Sequence, residues 1–239
     1  MQTRRSKIAV AAMLSLASLQ LIAGRAAASP TIFVELFTSQ GCYSCPPADE
    51  VLGKLADRDD VVALSLHVDY WDYLGWRDTF AQKAFTNRQF AYRDAMDERV
   101  VYTPQMIVQG ASPVTGSHGM GLKDAIEKVH AQPDMATIEI VEMGGALKGK
   151  IEPIADAPEA TLYMATYTKE QKVDIERGEN AGKKLAYHNV VGMLSKVQDW
   201  SGETMDEVDL PQPGPGEGIA LWLQSGESGP VIAAAKYER

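Results

Sequence analysis

The sequence predicts an α/β domain at residues 29–133 followed by a β-rich, sandwich-like domain at residues 134–239. In the first part, apolar runs of strand length alternate with stretches of helical length, which is typical of helices packed on a sheet. In the second part, short alternating runs are separated by Gly, Pro and acidic turns, which favours antiparallel strands. The change in character near Pro133 marks the predicted boundary.

The first domain is predicted to begin with a strand that leads directly into a helix. Pro46 and Pro47 mark the start of that helix, because proline supplies a helical φ where the backbone N–H has no partner. The predicted elements, in order, are a strand at Ile32–Phe37, a helix at Pro46–Ala56, a strand at Val61–Val68, a helix at Thr79–Met96, strands at Gln105–Gln109 and Val114–Thr115, and a helix at Leu122–His130.

The second domain is predicted to be almost entirely strands. Tyr187–Val197 has apolar residues at helical spacing, so a helix is the alternative there, although the β-rich context favours a strand. The proline- and glycine-rich segment Leu210–Gly218 is predicted to be a loop. The other predicted strands are Thr137–Met143, Leu147–Ile151, Thr161–Tyr167, Ile219–Leu223 and Val231–Tyr237.

The N-terminus has the pattern of a secretory signal peptide. Basic residues precede the apolar run Ile8–Ile22, and the small-residue stretch Ala26–Ala28 provides a cleavage site. The paired Arg4 and Arg5 also resemble a twin-arginine signal, so both export routes stay open. We expect residues 1–28 to be removed, leaving a periplasmic or secreted protein with no membrane span.

Charge argues against a nucleic-acid partner. Residues 1–28 contain four basic residues and no acidic ones, so their removal takes the formal charge from −9 to −13. Binding to phosphate backbones requires a basic surface, and this chain is predicted to be strongly acidic. A hydrophobic content of 45% is ample for a core, so the protein has no need of a disulfide to compensate for small size.

The chain has two cysteines, Cys42 and Cys45, and they lie between the first strand and the first helix. This arrangement suits thiol–disulfide exchange, because a helix N-terminus stabilises a thiolate and both sulfurs can close one small ring. We expect Cys42 to be the more exposed, attacking thiol and Cys45 the resolving one. A local structural disulfide and metal binding are the alternatives.

The dipeptide between the cysteines is neutral. Tyr43 and Ser44 bring no cation that would lower the pKa of Cys42, which indicates a moderate redox potential. The carboxylates of Glu35, Asp49 and Glu50 are near in sequence, and any of them close to Cys42 would raise its pKa.

A second group of interest is Thr103-Pro104, which opens the apolar strand Gln105–Gln109. Proline is tolerated at a strand start because it need not donate to the ladder, and an X-Pro bond can be cis. Taken alone, Pro104 is an ordinary strand-start proline.

Together, the cysteine motif and Thr103-Pro104 resemble the thioredoxin fold. The resemblance implies that Pro104 is cis and faces the dithiol, and that Thr103 offers backbone groups to a substrate strand. In thioredoxin a buried acid serves the second cysteine; here its only counterpart is Glu35, offset by one position, which puts that role in question.

Three segments are similar to the motifs of an uncharacterised family of exported bacterial thioredoxin-like proteins. They are the stretch at residues 35–49, which contains both cysteines, the aromatic-rich stretch at residues 67–76, and Arg177-Gly178-Glu179-Asn180. The resemblance spans most of residues 31–239 and implies the thioredoxin-like fold for the first domain.

The stretch Asp69–Asp78 is predicted to be an insertion beside the dithiol. Its aromatic density suits a recognition surface, and Trp71 and Trp76 are the predicted substrate-binding residues. A hydrophobic patch covered by the second domain is the alternative. The aromatic residues are Tyr70, Trp71, Tyr73 and Trp76.

His67 and Asp69 lie two apart at a strand end and share a face. A metal or general-base role is conceivable, but a structural histidine is the favoured interpretation, since no other histidine has ligand spacing. We therefore predict no metal and no cofactor.

These observations predict an exported thiol–disulfide oxidoreductase that acts on protein disulfides through Cys42 and Cys45 and exchanges electrons with a protein thiol or disulfide partner. One alternative is a binding module with a non-catalytic disulfide. The other is a Cu(I) metallochaperone that uses both cysteines, with His67 as a third ligand.

Overall fold

The structure is a computed structural model that describes residues 31–115, 119–154 and 156–239. The predicted signal peptide lies outside this part of the chain. The helices are α1 (Pro46–Ala56), α2 (Lys83–Ala95) and α3 (Gly119–His130). The strands are β1 (Ile32–Thr38), β2 (Val61–His67), β3 (Gln105–Val108), β4 (Ser112–Thr115), β5 (Ala136–Met143), β6 (Ala146–Pro153), β7 (Ala160–Asp174), β8 (Lys184–Trp200), β9 (Asp206–Leu210), β10 (Glu217–Gln224) and β11 (Val231–Glu238).

One large mixed sheet dominates the described molecule. Its eight strands run in the order β11-β10-β7-β8-β2-β1-β3-β4, and a second sheet has the order β5-β6-β9. β1 and β2 are parallel, whereas β3 pairs antiparallel with β1 and β4 pairs antiparallel with β3. The strands of the C-terminal half join β2 through a parallel contact of β8, at Ser65 and Val190.

Successive side chains of β1 point to opposite faces of the sheet and so pack in two different hydrophobic clusters. Ile32, Val34 and Leu36 pack in a cluster with the apolar faces of α1 and α3, whereas Phe33 and Phe37 pack in a cluster with residues of α2. The helices α1 and α3 therefore cover one face of the main sheet, and α2 covers the other.

The second sheet packs on the same face of the main sheet as α1 and α3. Apolar residues of β5, β6 and β9 share a cluster with Leu162 of β7 and with Ile219, Leu221 and Leu223 of β10. The opposite side of β10, with Trp222, belongs to the cluster under α2. The second sheet thus packs face to face on the C-terminal strands of the main sheet.

The boundary predicted at residue 133 does not divide the main sheet. Strands β1 to β4 precede it, and β7, β8, β10 and β11 follow it, yet all eight form one sheet. Sequence periodicity describes what each strand buries on its own faces. It says nothing about which strand edges pair, so this continuity is a finding of the structure.

Individual elements agree well with their predictions. α1 has the predicted bounds, and the segment with ambiguous periodicity, Tyr187–Val197, lies within strand β8. The short strand β9 was missed, because its sequence Asp-Glu-Val-Asp-Leu is dominated by acids that disfavour strands. Among the described residues, no helix has both the length and the apolar character needed to span a membrane.

Candidate functional site: the Cys42–Cys45 disulfide

Cys42 and Cys45 form a disulfide in the turn between β1 and α1. Cys45 is the residue before the first helical turn, where Pro46 and Pro47 follow it, as the sequence predicts. Backbone bonds shape the turn, since the amide of Cys42 donates to the carbonyl of Ser39 and the amide of Cys45 donates to that of Cys42. The disulfide therefore lies at the N-terminus of a helix whose inner face is buried.

Both cysteines are buried in this disulfide form. Cys42 is 1% exposed and Cys45 is 0% exposed. The exposed part of the turn is Tyr43, at 66%, together with Ser44, whose hydroxyl lies 3.6 Å from the sulfur of Cys42. A reaction at either sulfur thus requires neighbouring groups to move aside.

The loop before β3 approaches the same turn. The Thr103–Pro104 peptide bond is cis, as the resemblance implies, and Pro104 is buried while Thr103 is half-buried. The indole N–H of Trp71 donates to the hydroxyl of Thr103 at 2.7 Å. Trp71 also lies against Gly41, where an added Cβ would come within 3.1 Å of the Trp71 Cβ. Trp71 thus joins the proline loop to the cysteine turn.

The rest of the aromatic loop supports the residues just before Cys42. The indole N–H of Trp76 donates to Gln40 Oε1 at 2.9 Å, and the amide of Gln40 donates to Asp78 at 2.7 Å. Asp78 also lies 2.7 Å from Nδ1 of His67. His67 therefore pairs with Asp78 within the fold, and Asp69 instead accepts a hydrogen bond from Thr86.

A hairpin from the C-terminal half completes the site. Asn180, between β7 and β8, is buried, and its Nδ2 donates to the carbonyls of both Gln40 and Cys42 at 2.9 Å. Gly178 lies against Trp76, where an added Cβ would be 3.2 Å from the Trp76 Cβ, and its φ of +77° favours glycine. The three motifs found in the sequence thus meet around the disulfide.

Behind Cys45 is a buried polar cluster on the face of the sheet that α1 covers. In the described part of the chain, five buried side-chain polar atoms lack a hydrogen bond of normal geometry, and all five belong to this cluster. They are Thr38 Oγ1, Asp49 Oδ1, Ser65 Oγ, His67 Nε2 and Tyr187 Oη. Unsatisfied buried polar atoms are rare, so a cluster of them is more typical of a functional site than of a core.

Asp49 is the titratable member of this cluster nearest to the disulfide in sequence. It lies one helical turn after Cys45, and its amide donates to the Cys45 carbonyl at 3.1 Å. Burial raises the pKa of the Asp49 carboxyl well above its usual range; the neighbouring Thr38 hydroxyl offsets part of this, and the charges of Asp78 and Glu50 add to it.

The pKa of the Asp78 carboxyl is shifted in the opposite direction. Burial raises the pKa of its carboxyl, but His67 and the amides of Gln40 and Phe80 outweigh that effect, so the pKa of Asp78 is lowered. The cluster and Asp78, the partner of its His67, therefore provide two buried carboxyls whose pKa values are shifted apart. Such pairs are typical of sites that store and transfer a proton.

Glu35 cannot take the role of a buried acid for Cys45. Strand alternation places it on the α2 face of the sheet, opposite to α1, where its carboxylate accepts two hydrogen bonds from Arg88, at 2.6 and 3.0 Å. The hydroxyl of Tyr92 donates to the same carboxylate at 2.5 Å. Glu35 is thus committed to a buried network of the core.

Sequence reasoning missed the part that two residues play in the site. Asn180 belongs to a recognised motif, but nothing local indicated that it reaches the cysteines. The sequence places Asp49 near the cysteines, but an acid in a first helical turn gives no sign that its carboxyl is buried. No group of three His, Cys, Asp or Glu residues within the described ranges is arranged to hold a metal ion.

The fold and the site define a mixed α/β protein with a large sheet, a second sheet, and a disulfide at a strand-to-helix turn. The chain belongs to the family described as a protein of unknown function, DUF1223, which matches residues 33–224. No curated protein matches the chain.

A solved structure is similar over nearly the whole chain. It is the X-ray crystal structure of protein AGR_C_4864 from Agrobacterium tumefaciens, a structural genomics target. The two sequences are 35% identical, the match covers 89% of this chain and 96% of that one, and the TM-score is 0.76.

Proposed function

We propose that this protein is an exported thiol–disulfide oxidoreductase with a thioredoxin-like first half, acting on protein disulfides in the periplasm or outside the cell. The observation that carries the proposal is the Cys42–Cys45 disulfide at the N-terminus of α1, with the cis Thr103–Pro104 loop joined to the same turn through Trp71. A helix N-terminus favours a thiolate, which is the attacking species in exchange.

In the reducing direction, the Cys42 thiolate attacks one sulfur of a substrate disulfide. A Cys42–substrate disulfide forms, and the first substrate sulfur leaves as a thiolate that takes up a proton. Cys45 then loses its proton and attacks the Cys42 sulfur. The Cys42–Cys45 disulfide forms and the second substrate thiolate leaves, so the substrate gains two electrons and the protein dithiol loses two.

Asp49 is the group we assign to the proton of Cys45. It is buried, one helical turn after Cys45, and its raised pKa favours the protonated carboxyl that results from accepting the proton. Thr103 and Pro104 bind the substrate backbone, and Trp71 and Trp76 border the approach. A second protein thiol or disulfide resets Cys42 and Cys45 after each cycle.

A binding module with a structural disulfide is the second candidate, and the burial of both sulfurs favours it. The equilibrium redox potential, titrated against glutathione and read by thiol alkylation, separates the two. An oxidoreductase should have a potential between roughly −120 and −270 mV, whereas a structural disulfide should fall below about −300 mV.

The mechanism itself is tested by trapping. In Cys45→Ala, Cys42 can attack but nothing resolves the adduct, so mixed disulfides that dithiothreitol releases should accumulate in cells. Cys42→Ala and the double variant are the matched controls and should trap far less. Equal trapping by all three variants would contradict the assignment of Cys42 as the attacking thiol.

A further inference from the structure

Lys183, at the end of the hairpin between β7 and β8, reaches back to the cysteine turn. Its ammonium donates to Asn180 Oδ1 at 2.9 Å and lies 4.7 Å from the centroid of the Tyr43 ring. Asn180 in turn donates to the carbonyl of Cys42 at 2.9 Å. The ammonium is therefore held one amide group away from the backbone of Cys42 and over the side chain of the next residue.

The charge of Lys183 is not neutralised by a partner. Within the described ranges, no carboxylate lies at ion-pairing distance from it, whereas the adjacent Lys184 pairs with Asp174 at 3.3 Å. Tyr43 and Ser44, between the two cysteines, are neutral. Lys183 therefore supplies a positive charge near Cys42 that the cysteine motif itself lacks. Its own contacts are with an amide oxygen and an aromatic ring, which both orient an ammonium without cancelling its charge.

Other charged groups on the elements that contact the turn also affect the pKa of Cys42. On α1 these are Asp49, which is buried with a raised pKa, and the exposed Glu50. The aromatic loop and the hairpin contribute groups of both signs. They are Asp69, Asp72, Arg77 and Asp78 in the loop, and Glu176, Arg177 and Glu179 in the hairpin.

We propose that Lys183 is a positioning residue that stabilises the Cys42 thiolate and so sets the redox potential of the cysteine pair. This inference rests on the proposed function and adds a determinant from the distant half of the chain. A cation favours the thiolate but has little effect on the neutral disulfide, so it favours the reduced form. Without Lys183 the thiol pKa rises and the pair becomes more reducing.

The test measures the pKa of Cys42 directly. In the Cys45→Ala background Cys42 is the single thiol, and the pH dependence of its alkylation rate reports its pKa. Since Lys183 is exposed and screened by water, we expect Lys183→Met to raise that pKa by about half a unit to one unit. Lys184→Met is the matched control and should leave it unchanged, and Lys183→Arg should restore it.

The two-cysteine protein provides a second readout. Measured at a pH above the pKa of Cys42, its equilibrium constant with glutathione should shift about three- to tenfold towards the disulfide in Lys183→Met, because the thiolate is then the main reduced form and a pKa change of that size alters its stability by the same factor. The difference should shrink in 1 M salt, since the ammonium is exposed. A structural role would change thermal stability but neither quantity.

The outcomes separate this inference from the proposed function. If Lys183→Met leaves both the pKa and the glutathione equilibrium unchanged while Cys45→Ala still traps adducts, the role of Lys183 is overturned and the function stands. If both quantities shift but no adducts are trapped, Lys183 tunes the thiol of a protein that does not act as an oxidoreductase.

Discussion

The side-chain amide of Asn180 donates a hydrogen bond of 2.9 Å to the carbonyl oxygen of Cys42, across 138 residues of sequence. The same Nδ2 also donates to the carbonyl of Gln40, so one side chain holds two backbone groups of the cysteine turn. A side chain of the C-terminal half thus helps to hold the conformation of the disulfide turn.

Asn180→Ala should destabilise the protein by about 1–3 kcal/mol, because two buried carbonyl groups lose their donor. The turn should also loosen, so dithiothreitol should reduce the Cys42–Cys45 disulfide faster than in the wild type. Chemical denaturation and a stopped-flow reduction assay measure the two effects. Glu179→Ala, at an exposed neighbouring position, is the control; an equal loss of stability there would contradict the role of Asn180.

Asp49→Asn should stabilise the protein at neutral pH. Asp49 has a higher pKa in the folded state than in the unfolded state. The free energy of unfolding therefore falls as pH rises through the interval between these two pKa values. Asparagine removes this dependence, worth about 1.4 kcal/mol for each unit of the shift. Unfolding measured from pH 3 to 8 should give a difference that is smallest at the acidic end and grows with pH.

The same variant should impair exchange. Loss of the proton acceptor should slow the release of mixed disulfides by Cys45 about tenfold or more, since general base catalysis commonly contributes at least that much. A quenched-flow assay of mixed-disulfide lifetime measures this step. An unchanged lifetime in Asp49→Asn would remove Asp49 from the mechanism, whatever its effect on stability.

Glu35→Gln should destabilise the protein and leave the thiol unaffected, whereas Asp49→Asn should stabilise the protein and slow exchange. It leaves the buried Arg88 without its carboxylate, which should cost about 3–5 kcal/mol, because an uncompensated buried charge is strongly unfavourable. The pKa of Cys42 should stay the same, because Glu35 lies on the other face of the sheet. Denaturation and alkylation measured side by side check both, and a shifted thiol pKa would place Glu35 in the site after all.

Trp71→Ala should lower the rate of exchange with a protein disulfide severalfold while leaving the rate with dithiothreitol unchanged or increased. The indole N–H donates a hydrogen bond to the Thr103 hydroxyl, and Trp71 packs on Gly41. Its loss therefore removes surface that a polypeptide substrate would contact but leaves both sulfurs in place. Tyr73→Ala, at a side chain 79% exposed, tests whether general aromatic surface matters equally. Equal losses with both disulfides would indicate that Trp71 acts on the cysteines themselves.

Local sequence patterns predicted the elements because they report what each strand or helix buries. The prolines after Cys45 located the start of α1, and alternation located β1 with its two faces. The pairing of β2 with β8 left no local signal, since which edges meet depends on the whole chain. The continuous sheet therefore appears in the structure alone.

The residues of the site likewise include some that the sequence could predict and others that it could not. Cys42, Cys45 and Pro104 stand in recognisable local contexts and could be predicted. Asp49 and Lys183 could not, because an acid in a first helical turn and a lysine in a hairpin are common at solvated positions. Only the fold buries the carboxyl of Asp49 and brings the ammonium of Lys183 to the Tyr43 ring.

The junction between β2 and β8 also bears on how the chain folds. Ser65 and Val190 are partners in neighbouring strands although most of the polypeptide lies between them. Contacts of such separation form slowly, because a long loop must close before they bring any stabilisation. Until β8 has formed, β2 presents an unpaired edge at the centre of the future sheet, which is an open site for aggregation. A chaperone that holds the chain unfolded until its last third is available would protect that edge.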